Sequence, residues 1–196
     1  MNFLKASALS FDPRPQLGVI FAEGFYDTGL SLIHKDKQVL ARALSHMFIL
    51  EHFYTAVEGN EIVSIVAVVD KKPPPVKIDK KILRRELGFI RGSLAYWGLN
   101  KFMVNQPYPF PMAMGMASIE FVATAPNHRG KGAARKLLEY IFDEYGLTYA
   151  QYVLEVVDNN APAIALYEKL GFKEFTRKPA INKRAGFDFH VYMKRG

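Results

Sequence analysis

The chain has 196 residues, 49% of them hydrophobic, which suits one domain with a real core and argues against a second domain. It contains no cysteine, which excludes disulfides, thiolate metal sites and a cysteine nucleophile, so any group transfer must use another nucleophile or go directly. The formal charge of +7 points to anionic partners, but the cations are scattered in pairs (Lys71-Lys72, Lys80-Lys81, Arg84-Arg85, Lys183-Arg184) that read as solvated faces, not as a stripe tracking nucleic acid.

The first six residues lack the layout of a signal peptide. The longest apolar stretch, Ile62 to Val69, is strand-sized and too short to cross a bilayer, so the expected location is cytoplasmic. After Pro15, the spacing of Leu17, Ile20, Phe21 and Phe25 predicts a helix, and Val39, Leu40, Ala43, Leu44 and Met47 predict a second. Phe53 to Val57, the turn Glu58-Gly59-Asn60 and Ile62 to Val69 form a β-hairpin whose second strand is apolar enough to be central, and Pro73-Pro74-Pro75 ends it. From Ile78 to Phe102 the positions Ile82, Leu83, Leu87, Ile90, Leu94 and Trp97 are helical in spacing, with interruptions expected at Gly88 and Gly92. A loop from Gln106 to Met114 follows, in which Met112 and Met114, with Met116 just beyond, are read as gap-filling packing.

A strand over Ser118 to Thr124 then leads into Pro126-Asn127-His128-Arg129-Gly130-Lys131-Gly132-Ala133-Ala134 and a helix carrying Leu137, Leu138, Ile141 and Phe142, closed by Gly146. The turn has little side-chain bulk apart from two cations, so the first-turn N–H groups lie open, and the positive dipole end there favours a phosphate. A Walker A loop fails because Gly132, not Ser or Thr, follows Lys131; a dinucleotide fingerprint fits poorly because Arg135 stands at the third glycine position. A ligand-free glycine connection is also open at this point. Tyr152 to Val157 reads as a buried parallel strand, and Asn160 caps a helix from about Ala161 to Leu170 with Pro162 in its first turn and Gly171 as its C-terminal cap. Phe172 to Phe175 and Phe187 to Met193 are the last two strands, and helices packed on a mixed sheet follow from this order.

Two segments together resemble the GCN5-related N-acetyltransferase (GNAT) family. Arg129-Gly130-Lys131-Gly132-Ala133-Ala134 is similar to its acyl-CoA signature, (Arg or Gln)-x-x-Gly-x-(Gly or Ala). Asn160-Ala161-Pro162-Ala163-Ile164-Ala165-Leu166-Tyr167-Glu168-Lys169-Leu170-Gly171-Phe172 resembles its second motif, Asn-x-x-Ala-x-x-Leu-Tyr-x-x-x-Gly-Phe. The resemblance covers Ile119 to Phe175, while the stretch 73–111 shows no family signature and is read as a helical and loop insertion.

The resemblance implies an α/β fold: a mixed sheet of about six to seven strands splayed into a V, flanked by helices, as one acyl-CoA N-acyltransferase domain over residues 1–196. It implies acetyl-CoA as cofactor and direct transfer to a primary amine of a small molecule or peptide. Neither nucleic acid nor membrane is expected as a partner, and a homodimer is compatible with the reading. The cofactor pyrophosphate is assigned to Arg129, Gly130, Lys131, Gly132, Ala133, Ala134 and Arg135, with Gly132 and Ala134 keeping bulk out of its approach. The pantetheine arm is assigned to the backbone of Val122 and Thr124, with Asn160 capping its helix while also meeting the arm, and Val122 N–H as an oxyanion donor. Arg135, Lys136 and Lys169 are candidates for the cofactor phosphates. Tyr167 is the expected general acid and a further cofactor contact; its alternative is a half-buried packing residue with a wet hydroxyl.

Glu120 is a candidate base, and strict alternation would put Glu120, Val122 and Thr124 on one face. The five histidines are scattered without metal-ligand spacing, no metal is expected, and His128 is read as positional. Trp97, Tyr108 and Phe110 would suit an apolar or aromatic acceptor. A non-catalytic acyl-CoA-binding regulatory domain and a basic nucleic-acid-binding module are the alternatives.

Overall fold

The apolar run of the hairpin sets the centre of the sheet. In the computed structural model, which describes residues 1–70, 74–105, 108–180 and 186–196, β2 (Phe53–Glu58) and β3 (Glu61–Val69) pair antiparallel, and nearly every residue of β3 is buried. Ile65 and Ala67 pack into one apolar cluster and Val66 and Val68 into the other, so β3 has no solvent face. The cation pairs Lys71-Lys72 and Lys183-Arg184, together with Pro73 and Gln106, lie outside the described residues.

The sheet has seven strands in the order β1-β2-β3-β4-β5-β7-β6, adding β1 (Asn2–Lys5), β4 (Met116–Thr124), β5 (Gln151–Val157), β6 (Lys173–Pro179) and β7 (Phe189–Arg195). All neighbours are antiparallel except β4 and β5. On one face lie α1 (Arg14–Phe25), α2 (Lys37–Leu44), α3 (Lys80–Leu87) and α4 (Phe89–Leu99); on the other lie α5 (Ala133–Tyr145) and α6 (Ala161–Lys169). The mixed, helix-flanked sheet expected from the sequence is therefore present. Strand β1 was not expected; four residues carry too little alternation to stand out, and it is held by pairing with β2 and by Phe3 stacking on Tyr140, ring centroids 5.4 Å apart.

Two expectations are corrected. Gly92 does not interrupt a helix but lies inside α4, where a Cβ would come within 2.5 Å of the Leu83 carbonyl oxygen; it lets α3 and α4 touch backbone to backbone. The break falls at Gly88 alone, and Arg84 staples the pair by donating to Ser93 Oγ at 2.9 Å while its guanidinium lies over the Phe89 ring. Met114 fills no gap: it is fully exposed at the turn before β4. After α4 the chain tightens into a π-helical turn, Asn100–Val104, a form that often marks functional positions.

The α3–α4 unit is tied to α2 through His46. The backbone N–H of Asp79, the N-cap of α3, donates to His46 Nε2 at 2.9 Å, so the imidazole must be neutral at that nitrogen. Burial lowers the His46 pKa below the usual 6.5, against smaller upward pulls from the Ala43 backbone and Asp79. The unfolded chain then binds more protons than the folded one in the window below 6.5; stability is present above it and is lost as pH falls through the folded value. The melting temperature of wild type is therefore expected to fall more steeply than that of His46→Gln between pH 7.5 and 5, by roughly 3 °C for each kcal/mol of linkage. Parallel pH slopes for the two proteins would remove His46 from this account.

Candidate active site

Strand β4 pairs with β3 on one side, but the register jumps: Ala67 faces Glu120 while Ile65 faces Ala123, so Phe121 and Val122 together oppose Val66. Phe121 adopts a left-handed φ of +52°, a strained conformation for an aromatic residue that costs about 1–3 kcal/mol. Its ring is held by Phe21 at 5.4 Å, Phe25 at 6.0 Å and Phe53 at 6.3 Å, which offsets that cost through several aromatic contacts of about 1 kcal/mol each. On its other side β4 pairs in parallel with β5 only from Met116↔Gln151 to Ile119↔Leu154. Beyond Ile119 the two strands part, leaving one edge of residues 120–124 without a ladder to β5. This is the expected V.

The bulge overturns the expected alternation. Phe121 packs with the cluster under α1 and Val122 with the cluster under α5, while Glu120 opens into a cavity lined by Phe121 and residues of α1 and α4. Thr124 sits beside Ser64, with their hydroxyl oxygens 3.1 Å apart. One extra residue has turned Glu120 to the face opposite Val122.

The turn after β4 leads into α5 through Gly130 (φ +73°) and the left-handed N-cap Gly132 (φ +79°). A Cβ at either would meet nothing of the protein within 4 Å, so the requirement for glycine is conformational and the space above the turn is open. Lys136 N–H bonds back to the Gly132 carbonyl, which leaves the amides of Ala133, Ala134 and Arg135 as the first-turn donors of α5. Two cations assigned there have partners within the protein. Arg129 donates to the carbonyls of Thr124 and Glu23 at 3.3 and 3.2 Å, pinning the turn to β4 and α1, and Arg135 pairs with Glu139 at 2.8 Å. His128 lies 3.4 Å from Glu61 and 3.8 Å from Glu58, between the carboxylates of the β2–β3 hairpin.

Asn160 caps α6, its side chain accepting from Ala163 N–H at 3.3 Å. About two turns further in, Tyr167 is 6% exposed and packs edge-on against Phe172 in the cluster that also holds Val122, Ala133 and Val156. The residue is thus buried rather than half-buried, and burial alone raises its phenol well above the ordinary range.

The opposite face carries a cavity of about 1430 Å³. Its floor holds groups that sequence reasoning either missed or assigned to other work. The Tyr108 hydroxyl donates to Glu120 Oε1 at 2.6 Å, Ser118 Oγ donates to the same oxygen at 2.8 Å, and the Tyr108 and Ser118 hydroxyls are in contact. Burial, then the Glu120 charge, raises the Tyr108 phenol far above its usual value, so it stays a donor. Across the split, Glu155 of β5 lies 2.5 Å from His190 Nδ1 of β7, and both line the cavity. Glu155 had a sequence signal: it is the one charged residue inside the apolar run Tyr152 to Val157. Tyr108 and Phe110 line the cavity and Trp97 does not, while Glu120 lines it too and Tyr167 packs in the cluster on the far side of the sheet. No group of residues with metal-binding composition is found, and no helix is long and apolar enough to cross a membrane, among the described residues.

Known proteins give the same architecture. The solved structure of PH1933 from Pyrococcus horikoshii OT3 superposes with a TM-score of 0.60 at 20% identity over 99% of this chain and 96% of that one. An N-acetyltransferase from Staphylococcus aureus Mu50 gives 0.62 at 15% identity over 94% and 96%. At the sequence level, the [ribosomal protein bS18]-alanine N-acetyltransferase of Escherichia coli K12 is 44% identical over 61 residues, 31% of this chain and 41% of that protein, so the match spans about two fifths of the relative's length. Streptothricin acetyltransferase of Streptomyces lavendulae is 43% identical over 56 residues, 28% of this chain and 30% of that protein. The model of the acetyltransferase (GNAT) family matches residues 47–172, taking in the hairpin, the bulged strand, the glycine turn and the capped helix, and the chain belongs to that acetyl-CoA-using family.

Proposed function

We propose that the chain moves an acetyl group from acetyl-CoA directly onto a primary amine of a small molecule or peptide. The observation that carries the reading is the β4 edge at residues 120–124, unpaired with β5 and running into the open first turn of α5. Those features fit the cofactor: an extended edge for a pantetheine arm and backbone donors at a positive dipole end for a pyrophosphate. When bound, acetyl-CoA supplies an activated thioester acetyl group.

In this reading the amides of Ala133, Ala134 and Arg135, reached over Gly130 and Gly132, hold the pyrophosphate, with Lys131 as a cation beside them. Arg129 acts through backbone anchoring, and Asn160 fixes the start of α6. Val122 and Thr124 offer backbone groups to the arm, and Val122 N–H, displaced by the bulge, is the oxyanion donor. Tyr167 faces the departing sulfur. A phenol raised by burial gives up a whole proton reluctantly to a thiolate of basicity near 8.5, each unit of mismatch costing about 1.4 kcal/mol, so hydrogen-bond donation to the developing charge is its main contribution. Glu120 accepts the ammonium proton. The Glu155–His190 pair is a second acceptor, favoured by its short contact and its place on the cavity floor. The relatives that acetylate a ribosomal protein's alanine and streptothricin support an amine acceptor.

Thiol release from acetyl-CoA over an amine panel tests the proposal; turnover would also exclude a purely regulatory acyl-CoA-binding role. Tyr167→Phe and Glu120→Gln are each expected to lower kcat by about 10²-fold, with the KM for acetyl-CoA changed less than threefold. Wild-type kcat in either variant would strip that residue of its role. Gly132→Val places a β-branched residue at φ +79°, costing about 1–2 kcal/mol of stability, and is expected to raise the KM for acetyl-CoA at least tenfold. An unchanged KM would move the pyrophosphate elsewhere.

A further inference from the structure

The cavity beside Glu120 is larger and more apolar than an amine headgroup requires. At about 1430 Å³ it exceeds the roughly 300–1,000 Å³ of ordinary ligand pockets. Its outer wall is α4 and the π-helical turn that follows, where Phe89, Ile90, Leu94 and Phe102, with Leu32 opposite, line the space while remaining 45–75% exposed. Leaving so many large apolar side chains wet around one opening is costly at about 25 cal/mol per Å², and it marks a surface meant to be covered.

The floor has the opposite character. Glu120 and Glu155 stand on either side of the β4–β5 split, and Asp70 adds a third carboxylate at the end of β3. Against them the lining offers Arg91 on the outer wall and His190, which is already paired with Glu155. The local balance is acidic within a chain of net charge +7. Apolar walls over an acidic floor complement a molecule with one cationic end and a hydrocarbon body.

Resting on the acetyl-transfer reading above, we infer that the acceptor is a lipophilic primary amine, an alkyl- or arylalkylammonium. Its head sits between Glu120 and Glu155 and its body lies along α4. A peptide fits less well. Its backbone N–H and C=O groups need partners, and the α4 wall presents side chains of Phe, Ile and Leu that supply none. The segment from α4 through the π-helical turn Asn100–Val104 thus sets acceptor choice.

The test is acetyl-CoA turnover with unbranched primary amines from butylamine to decylamine, each below its micelle concentration, beside an unacetylated tetrapeptide. The value of kcat/KM is expected to climb roughly threefold per added methylene, and Ile90→Ser or Leu94→Ser to flatten that slope. Calorimetry with decylamine and decanoate separates the floor from the wall: decylammonium is expected to bind at least tenfold more tightly. Turnover that is flat along the series, or that prefers the tetrapeptide, overturns the inference and leaves acetyl transfer standing. Decylammonium binding without turnover of any amine overturns the transfer reading and leaves the pocket's preference for lipophilic cations intact. Equal binding of decylammonium and decanoate overturns the role given to the carboxylates.

Discussion

Strand β4 holds one residue more than β3 can pair, and the site follows from that mismatch. The surplus at Phe121 and Val122 forces an aromatic residue into a left-handed conformation, which persists because Phe21, Phe25 and Phe53 hold its ring. Beyond the neighbouring Ile119, β4 leaves β5, so an edge of backbone opens in the middle of a seven-stranded sheet. A central strand normally has no free edge; here residues 120–124 have one, inside a sheet whose other strands continue on both sides. The core of aromatic rings under α1 is therefore part of the site, and Phe21, Phe25 and Phe121 also line the cavity.

The bulge also divides labour across the sheet. On the α5–α6 side lie the open first turn of α5 at Gly132, with its backbone donors and neighbouring cations, and the buried Tyr167. On the α1–α4 side it is acidic below and apolar above, with Tyr108 and Ser118 both donating to Glu120. Phosphate binding and amine binding make opposite electrostatic demands, and a sheet between them lets each have its own field. The split between β4 and β5 is where the two environments meet.

Much of this was legible in the sequence, and the reasons are local. The glycine turn and the Asn160 helix start are short-range signals, in which a positive φ or a capping side chain dictates residue type, and both read correctly. The apolar hairpin and α5 were clear because their periodicity is long. What failed is long-range. Strict alternation placed Glu120 with Val122, and nothing in Ile119-Glu120-Phe121-Val122 announces a bulge, since the register jump is made by pairing with β3. Gly92 read as a breaker because a sequence cannot show that Leu83 will pack against it. His190 and Glu155 come from different strands and meet through the β5–β7 pairing, and Tyr108 reaches Glu120 from a loop with no pattern of its own.

Amide hydrogen exchange with and without acetyl-CoA tests most directly whether the open edge of β4 is the cofactor's seat. The account predicts slowed exchange at Val122, Thr124, Ala133, Ala134 and Arg135, with little change in β1, β2 and β6. Protection confined to other elements, with residues 120–124 and the start of α5 exchanging as in the free protein, would contradict it.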